Sequence, residues 1–248
     1  MLIEQSAYTN RWRRVSPAAK GLFTAAAFIA VFAANSPLTA ALIASLVVAL
    51  TVFGAGIAPS CYLRVATPAL FFLALGSLSL AFSLDIGEGT PVFKMTPGGL
   101  LKLAEVGTRS LGSLAALLFL ILTTPLIDLI ALLRRLKVPP LLLEIMVLCY
   151  RMLFVFSAAV HETLTAQSAR LGYATPRLAM RSLGGLAANL TLQVWQRAHA
   201  LHSAALARNN DGPLRFLEPT FAHNRRDCRI AGLAGASLIA LAMSLARW

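Results

Sequence analysis

Five apolar runs divide this sequence and limit the folds that it can adopt. They cover residues 21–34, 38–58, 66–84, 110–124 and 230–246. The hydrocarbon core of a bilayer is about 30 Å thick, and a helix needs about 20 apolar residues to cross it. Apolar residues make up 58% of the 248 residues and charged residues only 13%, which excludes an ordinary soluble globular protein. We therefore predict an all-α membrane protein with about five transmembrane helices.

The segments that separate the runs have the composition of turns and loops. The first run is short, and we expect its helix to extend back through residues 15–19. Asn35, Ser36 and Pro37 are predicted to form a tight turn, and residues 85–99, with four glycines and two prolines, a loop. Before the fourth run, charged residues spaced three and four apart indicate a helix that begins at the membrane surface. They are Lys102, Glu105 and Arg109.

The charge of the chain is strongly positive, with 22 Lys and Arg against 10 Asp and Glu and a net charge of +12. In a multi-pass protein such an excess marks the cytoplasmic side. Residues 1–20 are basic, so we place the N-terminus in the cytoplasm and expect no cleaved signal. The basic residues are Arg11, Arg13, Arg14 and Lys20. Four spans return the chain to the cytoplasm at Pro125, and the last run takes the C-terminus outside.

A further apolar stretch, residues 141–160, is predicted to stay on the cytoplasmic side. If it crossed the membrane, eight later arginines would lie outside, against the positive-inside rule. They are Arg170, Arg177, Arg181, Arg197, Arg208, Arg215, Arg225 and Arg226. Glu144 and Arg151 would each cost about 2.5–3.5 kcal/mol at the bilayer centre. The predicted parts are 1–124 with four transmembrane helices, 125–228 with cytoplasmic amphipathic helices, and 229–248 with the last transmembrane helix.

The cytoplasmic part is predicted to form three helices. The first has Thr124 as its N-cap, Pro125 at its first position and Asp128 in its first turn. The second runs from residue 140 to about 171 and the third from 176 to about 208, each opened by a proline. The third helix has an apolar stripe at spacings of three and four. The stripe consists of Leu183, Leu186, Leu190, Val194, Ala198, Leu201 and Ala205.

The two long cytoplasmic helices end in the same way, with an Ala-Arg pair before a helix-breaking segment. Residues 168–172 read Ser-Ala-Arg-Leu-Gly, and residues 206–212 read Leu-Ala-Arg-Asn-Asn-Asp-Gly. Ordinary C-terminal capping explains such an ending, because arginine suits the helix dipole and glycine the left-handed turn. The alternative is that Arg170 and Arg208, 38 residues apart, bind an acidic groove on a partner. Arginine suits this role because its guanidinium group makes bidentate bonds to carboxylates.

Short motifs occur in a fixed order along nearly the whole chain. They are Asn10-Arg11-Trp12, Ser16-Pro17 with Lys20, Thr123-Thr124-Pro125 with Asp128-Leu129, Leu136 with Val138-Pro139, Tyr150-Arg151, Ala169-Arg170-Leu171-Gly172-Tyr173, Ala207-Arg208 and Asp211-Gly212. In order and spacing they resemble the transmembrane T component of energy-coupling-factor (ECF) importers, and within that family the cobalt-type CbiQ branch. The family ends both long helices with Ala-Arg-Gly-like motifs. Leu171 and Asn209 depart from the small third residue, which leaves the shape of both turns open.

The resemblance implies a coupling subunit that performs no catalysis and binds no cofactor. Two motifs would each dock into one of two ABC-type ATPase subunits. They are Ala169, Arg170 and Leu171, and Ala207, Arg208 and Asn209. The long helices would transmit ATP-driven closure of the ATPases to a metal-binding membrane subunit (S component), with or without a small auxiliary membrane subunit. Support of these coupling helices is assigned to Thr124, Pro125, Asp128, Pro139, Tyr150 and Arg151.

The histidines are considered as metal ligands because the implied cargo is a metal. His199 and His202 are three residues apart, a spacing that suits a transition metal. No carboxylate or cysteine lies within a helical turn of this pair. We therefore assign both to a solvated face, and His161 and His223 to the surface. The three cysteines form no C-x-x-C pair, so the sequence predicts no metal site in this chain.

The implied cargo is cobalt, with nickel as the alternative, because another subunit binds the cargo. A secondary transporter is a second alternative, but its spans would carry polar or ionisable groups near the midplane. A membrane-bound enzyme would need clustered carboxylates or histidines, and the acidic residues here are isolated. The arginines also lack the interleaved aromatic residues of a nucleic-acid-binding protein. We expect a multi-pass protein of the bacterial inner membrane, embedded in the lipid bilayer, without a nucleic-acid partner.

Overall fold

The computed structural model describes residues 2–34, 36–85, 92–95, 99–209 and 224–245. The helices are α1 (Leu2–Thr9), α2 (Pro17–Ala33), α3 (Pro37–Ala49), α4 (Pro59–Ala81), α5 (Gly99–Thr123), α6 (Leu126–Arg135), α7 (Pro140–Ala169), α8 (Pro176–Ala207) and α9 (Asn224–Leu245). A π-helical turn, Leu50–Gly54, continues α3. The described residues up to Leu132 and from Asn224 onward form one compact unit, called the bundle unit here. Residues 133–209 belong to a second, the hairpin unit.

The bundle unit packs α2, α3, α4, α5 and α9 around an apolar core. Helices α2 and α5 meet at its centre, where the rings of Phe23 and Phe119 lie edge to face with centroids 5.1 Å apart. Gly112 of α5 lies against Val31 of α2, and a Cβ at Gly112 would lie 2.7 Å from a Val31 methyl group. The missing side chain therefore lets the two helices approach closely, as small residues do in membrane bundles.

Among the described residues, five helical segments are long and apolar enough to cross a membrane. They are Pro37–Gly54, Pro59–Ser77, Leu101–Thr123, Pro140–Ala169 and Asn224–Leu245. The chain is therefore a multi-pass all-α membrane protein, as predicted, although these five segments are not the predicted five. Helix α2 has only 17 residues, a rise of about 26 Å. Helix α7 is long and apolar enough to cross a membrane. The cytoplasmic position of residues 141–160 therefore stays a prediction.

The segment predicted as a loop at residues 85–99 contains a short strand. Strand β2 (Val92–Met95) pairs antiparallel with β1 (Phe82–Asp85). The structure differs from the prediction because the glycines and prolines lie on both sides of residues 92–95, which contain neither. These four residues can therefore form the hydrogen bonds of a β-ladder. The remaining residues of the predicted loop, 86–91 and 96–98, lie outside the described residues.

Helix α6 begins at Leu126, one residue later than predicted. The Thr124 hydroxyl, which was expected to cap this helix, is buried and makes no hydrogen bond within the part of the chain that the structure describes. The N–H groups of Asp128 and Leu129 donate to the carbonyl oxygen of Pro125, at 3.1 and 3.2 Å. The N-cap prediction for Thr124 is therefore wrong. The shift of one residue puts Pro125, which has no side-chain acceptor, at the cap position.

The hairpin unit contains α7 and α8, two long antiparallel helices joined by residues 170–175. Their observed bounds agree with the predicted second and third cytoplasmic helices to within two residues. Pro139 precedes α7, and Pro176 occupies the first position of α8. The Thr175 hydroxyl accepts a hydrogen bond from the N–H group of Leu178 at 3.3 Å and caps α8. Helix α8, all of which is described, buries none of its side chains, which leaves its apolar residues available to partners.

Candidate functional site

The first arginine tip, Ala169, Arg170 and Leu171, forms the C-terminal end of α7. Leu171 adopts a left-handed conformation with φ of 55°. Its N–H group donates to the carbonyl oxygen of Ser168 at 3.0 Å, and the N–H group of Gly172 donates to that of Gln167 at 2.9 Å. These two bonds define a Schellman motif, which satisfies the last carbonyl groups of the helix. The tip is therefore a defined turn rather than a frayed end.

The second arginine tip, Ala207, Arg208 and Asn209, ends α8 with a matching left-handed residue. Asn209 is also left-handed, with φ of 52°, and its N–H group donates to the carbonyl oxygen of Leu206 at 3.0 Å. Both residues that depart from the family's small third residue thus adopt the conformation that glycine favours. The turn is retained at both tips. Residues Asn210, Asp211 and Gly212, which follow in the sequence motif, lie outside the described residues.

Both arginine side chains are exposed and have no ion-pair partner among the described residues. Arg170 lies six residues before α8 begins, and Arg208 follows its last residue. Since α8 has 32 residues, the two tips lie about 48 Å apart, at opposite ends of the hairpin. One helix pair therefore presents two separate guanidinium groups, each on a similar turn.

The turn that joins α7 and α8 is held by side-chain hydrogen bonds that sequence reasoning missed. Gln167 donates through Nε2 to the carbonyl oxygen of Ser182 at 3.0 Å and accepts from the Tyr173 hydroxyl at 2.6 Å. The Ser182 hydroxyl in turn donates to the carbonyl oxygen of Gly172 at 2.9 Å. Gln167 and Ser182 belong to no sequence motif, so only the antiparallel packing of the two helices reveals their role. These bonds fix the position of the first arginine tip.

The residues assigned to support of the coupling helices lie in different places. Tyr150 packs its ring edge to face against Phe154 one turn later on α7, with centroids 5.1 Å apart. Arg151 is exposed and lines a groove between α7 and α8 that Arg208 also lines. Arg151 and the second arginine tip are therefore brought together by the structure. The others do not lie at either tip: Pro139 precedes α7, and Thr124, Pro125 and Asp128 belong to the bundle unit.

Asp128 is the centre of a polar cluster within the bundle unit. Its side chain is buried and accepts a hydrogen bond from the guanidinium group of Arg13. Burial raises the pKa of the Asp128 carboxyl above its ordinary value, whereas the charge of Arg13 acts to lower it. The Lys20 ammonium group donates to the carbonyl oxygen of Thr123 at 2.7 Å, and the Asn10 amide donates to the same oxygen at 3.2 Å.

The N-terminal segment therefore holds the junction between α5 and α6. Sequence reasoning treated Asn10, Arg13 and Lys20 only as motif residues or as basic charge. Their common role depends on contacts across more than 100 residues of chain, which no local pattern contains. A sequence signal for this role was that Asn10 and Lys20 belong to the motifs quoted above.

Three of the four histidines lie at the surface, as predicted for them. His199 and His202 are both exposed on α8, and His161 is exposed on α7. The described residues contain no group of three His, Cys, Asp or Glu side chains that could hold a metal ion. His223 lies outside the described residues.

Comparison with known proteins relates the chain to a family of transport proteins. The family described as CbiQ, cobalt transport protein, matches residues 9–216. The cobalt transport protein CbiQ of Rhodobacter capsulatus is 33% identical over 216 residues, which cover 87% of this chain and 86% of that protein. An uncharacterised protein of Methanocaldococcus jannaschii is 29% identical over 226 residues, 88% of this chain and 83% of that protein.

A putative fused cobalt transport protein, CbiMQ, of Methanocorpusculum labreanum is 27% identical over 225 residues, which cover 88% of this chain and 38% of that protein. The family match includes α2 to α8 together with both arginine tips, and so extends over most of the bundle unit and the hairpin unit. This chain belongs to the CbiQ family of cobalt transport proteins.

Proposed function

We propose that this chain is the transmembrane coupling subunit of an ATP-driven ECF-type importer. In this proposal the chain performs no catalysis. Two ABC-type ATPase subunits hydrolyse ATP, and the α7–α8 hairpin transmits their closure to a metal-binding membrane subunit. The cargo is cobalt, and nickel is the alternative.

The observation that carries the proposal is the pair of matching arginine tips. Arg170 and Arg208 follow helices of similar length, precede left-handed residues and remain unpaired within the described part of the chain. Capping alone explains one arginine at a helix end. Two exposed arginines on equivalent turns, at opposite ends of one hairpin, suit a partner that is present twice. An acidic groove on each of two ABC-type ATPase subunits fits this arrangement, because guanidinium groups bind carboxylates bidentately.

The shape of the hairpin also suits the transmission of movement. Helix α7 has 30 residues and α8 has 32, so each is about 45–48 Å long. The bonds around Gln167 and Ser182 hold the two helices together at one end. A force applied at the first tip would therefore act on both helices.

The exposed apolar residues of α8 support contact with another membrane subunit. Trp195 is 72% exposed and Leu192 is 57% exposed, and both lie on a helix that buries no side chain. Large exposed apolar surfaces mark interaction sites. The partner assigned to this surface is the metal-binding subunit, and the fused relative, CbiMQ, supports an association with a second cobalt transport component.

The orientation in this proposal follows the charge distribution. The basic N-terminus and the arginine-rich hairpin unit lie on the cytoplasmic side of the bacterial inner membrane, where soluble ATPases have access to both tips. Cobalt is assigned as cargo because the relatives from Rhodobacter capsulatus and Methanocorpusculum labreanum are named as cobalt transport proteins.

The test is purification of the tagged chain in mild detergent from its native host, with identification of every protein that co-purifies. We expect an ABC-type ATPase and a second membrane protein, whose bound metal identifies the cargo. Arg208→Glu should abolish ATPase co-purification, because a carboxylate would face the acidic groove, while the chain remains folded in the membrane.

The matched control is Arg181→Glu, which makes the same change at an exposed arginine of α8 that lies 27 residues before Arg208. Normal ATPase recovery with Arg208→Glu, or equal loss with both variants, would contradict the role of the tip. Transport by the chain alone in reconstituted vesicles would instead favour a secondary transporter.

A further inference from the structure

A groove of about 670 Å³ opens between the N-terminal half of α7 and the C-terminal half of α8. It lies wholly within the hairpin unit. Ligand sites in proteins occupy about 300–1,000 Å³, so the groove is large enough for the headgroup and part of the chains of a lipid. We call it the hairpin groove.

The charged residues that line the hairpin groove in the described part of the chain are all basic. Three arginines line it, Arg151 from α7 and Arg197 and Arg208 from α8, together with His202. Among the residues that the structure describes, no Asp or Glu lines it, and none of the three arginines has an ion-pair partner there. Three unpaired guanidinium groups around one opening favour an anionic ligand, and phosphate oxygens match their geometry best.

The rest of the hairpin groove is apolar. Leu148, Met152 and Phe156 line it from α7, and Val194 and Leu201 from α8. An inorganic anion would leave this surface in water, whereas a ligand with hydrocarbon chains would cover it at about 25 cal/mol per Å². The groove therefore matches a ligand that carries both a phosphate and an apolar part.

The α7 wall of the groove identifies the source of such a ligand. The most apolar 18 residues of helix α7 have a mean hydropathy of 2.0, among the highest of the candidate spans. Only 6% of these residues are buried within the protein. A helix of this kind contacts lipid chains, either across the membrane or along its surface. An acidic peptide would need water-exposed walls on both sides, so α7 favours a lipid over a peptide.

We propose that the hairpin groove binds one anionic phospholipid, with its phosphate between Arg151 and Arg197 and its chains against the apolar wall of α7. Basic pockets between helices on the cytoplasmic side of membrane proteins bind anionic headgroups in this way. The lipid fills the space between the two helices and holds them at a fixed distance. The proposal requires neither the ATPases nor the cargo, and it holds for the isolated chain.

The test is a titration of the full chain, purified in a neutral detergent, with dioleoyl phosphatidylglycerol, followed by native mass spectrometry. Dioleoyl phosphatidylcholine, which has the same chains and no net charge, is the reference lipid. We expect one phosphatidylglycerol to bind with a Kd at least about tenfold lower than that of phosphatidylcholine, and Arg151→Gln with Arg197→Gln to abolish this preference. Arg208 is left unchanged, because it belongs to the second arginine tip.

The matched control is Arg177→Gln with Arg181→Gln, which removes two exposed arginines of α8 that do not line the groove. This variant should keep the preference for phosphatidylglycerol. Equal loss in both double variants would overturn the site, because it would reduce the effect to net charge. Retention of the preference by the Arg151 and Arg197 variant would also overturn it.

Two competing ligands test whether the groove binds another kind of anion. Displacement of the lipid by inorganic phosphate at equal concentration would reject the phospholipid and leave a simple anion site. Displacement by an oligoglutamate peptide at equal concentration would reject it in favour of an acidic protein segment. Neither competitor is expected to displace phosphatidylglycerol, because neither covers the apolar wall.

Discussion

Leu171 and Asn209 adopt the same left-handed backbone conformation at the ends of α7 and α8, with φ of 55° and 52°. Neither residue is glycine, yet each directly follows an exposed arginine and donates its N–H group to the carbonyl oxygen three residues earlier. A non-glycine residue pays about 1–2 kcal/mol for this conformation. The helix ends are thus equivalent in backbone geometry although their third residues differ in chemistry.

Leu171→Gly is expected to stabilise the chain. Leu171 is 72% exposed, so its side chain contributes little packing, and glycine removes the steric cost of the left-handed conformation. The free energy of unfolding should rise by up to about 1 kcal/mol, and the thermal midpoint in detergent by about 2–4 °C.

The control for this prediction is Leu206→Gly, a change at another exposed leucine, within the last turn of α8. Glycine in a right-handed helical position should lower the free energy of unfolding by about 1 kcal/mol. A lower midpoint for Leu171→Gly would contradict the turn geometry described here.

Arg13→Ala is expected to destabilise the bundle unit in a pH-dependent way. The variant leaves the buried Asp128 carboxylate without its guanidinium partner, at a cost of about 3 kcal/mol near neutral pH, the lower end for a buried pair because Arg13 is partly exposed. Burial already raises the pKa of Asp128, and the loss of Arg13 raises it further. The folded state then holds its proton to a higher pH than the unfolded state, so stability is retained at low pH and falls as the pH rises.

Thermal unfolding at about pH 5 and about pH 8 checks this sign. From the lower to the higher pH, the thermal midpoint of Arg13→Ala should fall by more than the thermal midpoint of the unchanged chain. Arg14→Ala, at the adjacent exposed arginine, is the matched control and should follow the unchanged chain. A midpoint for Arg13→Ala that rises with pH would show that the buried Asp128 carboxylate does not destabilise the folded state of this variant.

Gly112→Ala is expected to disturb the packing of α2 against α5. The new Cβ would lie 2.7 Å from a methyl group of the buried Val31, and overpacking of this kind costs about 1–3 kcal/mol. Val31→Ala in the same chain should recover part of the loss, because it removes the contacted methyl groups.

Gly107→Ala provides the comparison for this prediction, because it lies on the same helix and its Cβ would meet nothing within 4 Å. It should leave the thermal midpoint unchanged or raise it slightly, since alanine favours a helix. Equal midpoints for the two alanine variants would show that α2 and α5 do not depend on close approach.

A cysteine at Val155 tests the cytoplasmic position of α7. In a chain without its three native cysteines, Val155→Cys should resist an impermeant thiol reagent applied outside intact cells and react with a permeant one. The expectation follows from the positive-inside rule, since a crossing α7 would place the later arginines outside. Ready labelling from outside would make α7 a transmembrane helix and reverse the orientation of everything that follows it.

The helix pattern was largely predictable from local sequence. Prolines at positions 140 and 176 and the helix-breaking segments after Ala169 and Ala207 placed α7 and α8 to within two residues. Local signals suffice there because each depends on residues within one turn of the helix end. The prediction failed at Thr124, where burial in a tertiary cluster outweighs a local capping preference.

The sequence by itself determined that this chain enters a membrane, that its positive charge is concentrated at the N-terminus and in the second half of the chain, and that two long helices end in Ala-Arg pairs. Composition and short-range periodicity carry this information. Only the tertiary structure decided that Leu171 and Asn209 share a glycine-like turn, that Asp128 is held by Arg13, and that Arg151 and Arg197 line one groove. These relationships join residues that are distant in the chain or depend on backbone angles, and only packing of the helices against one another specifies them.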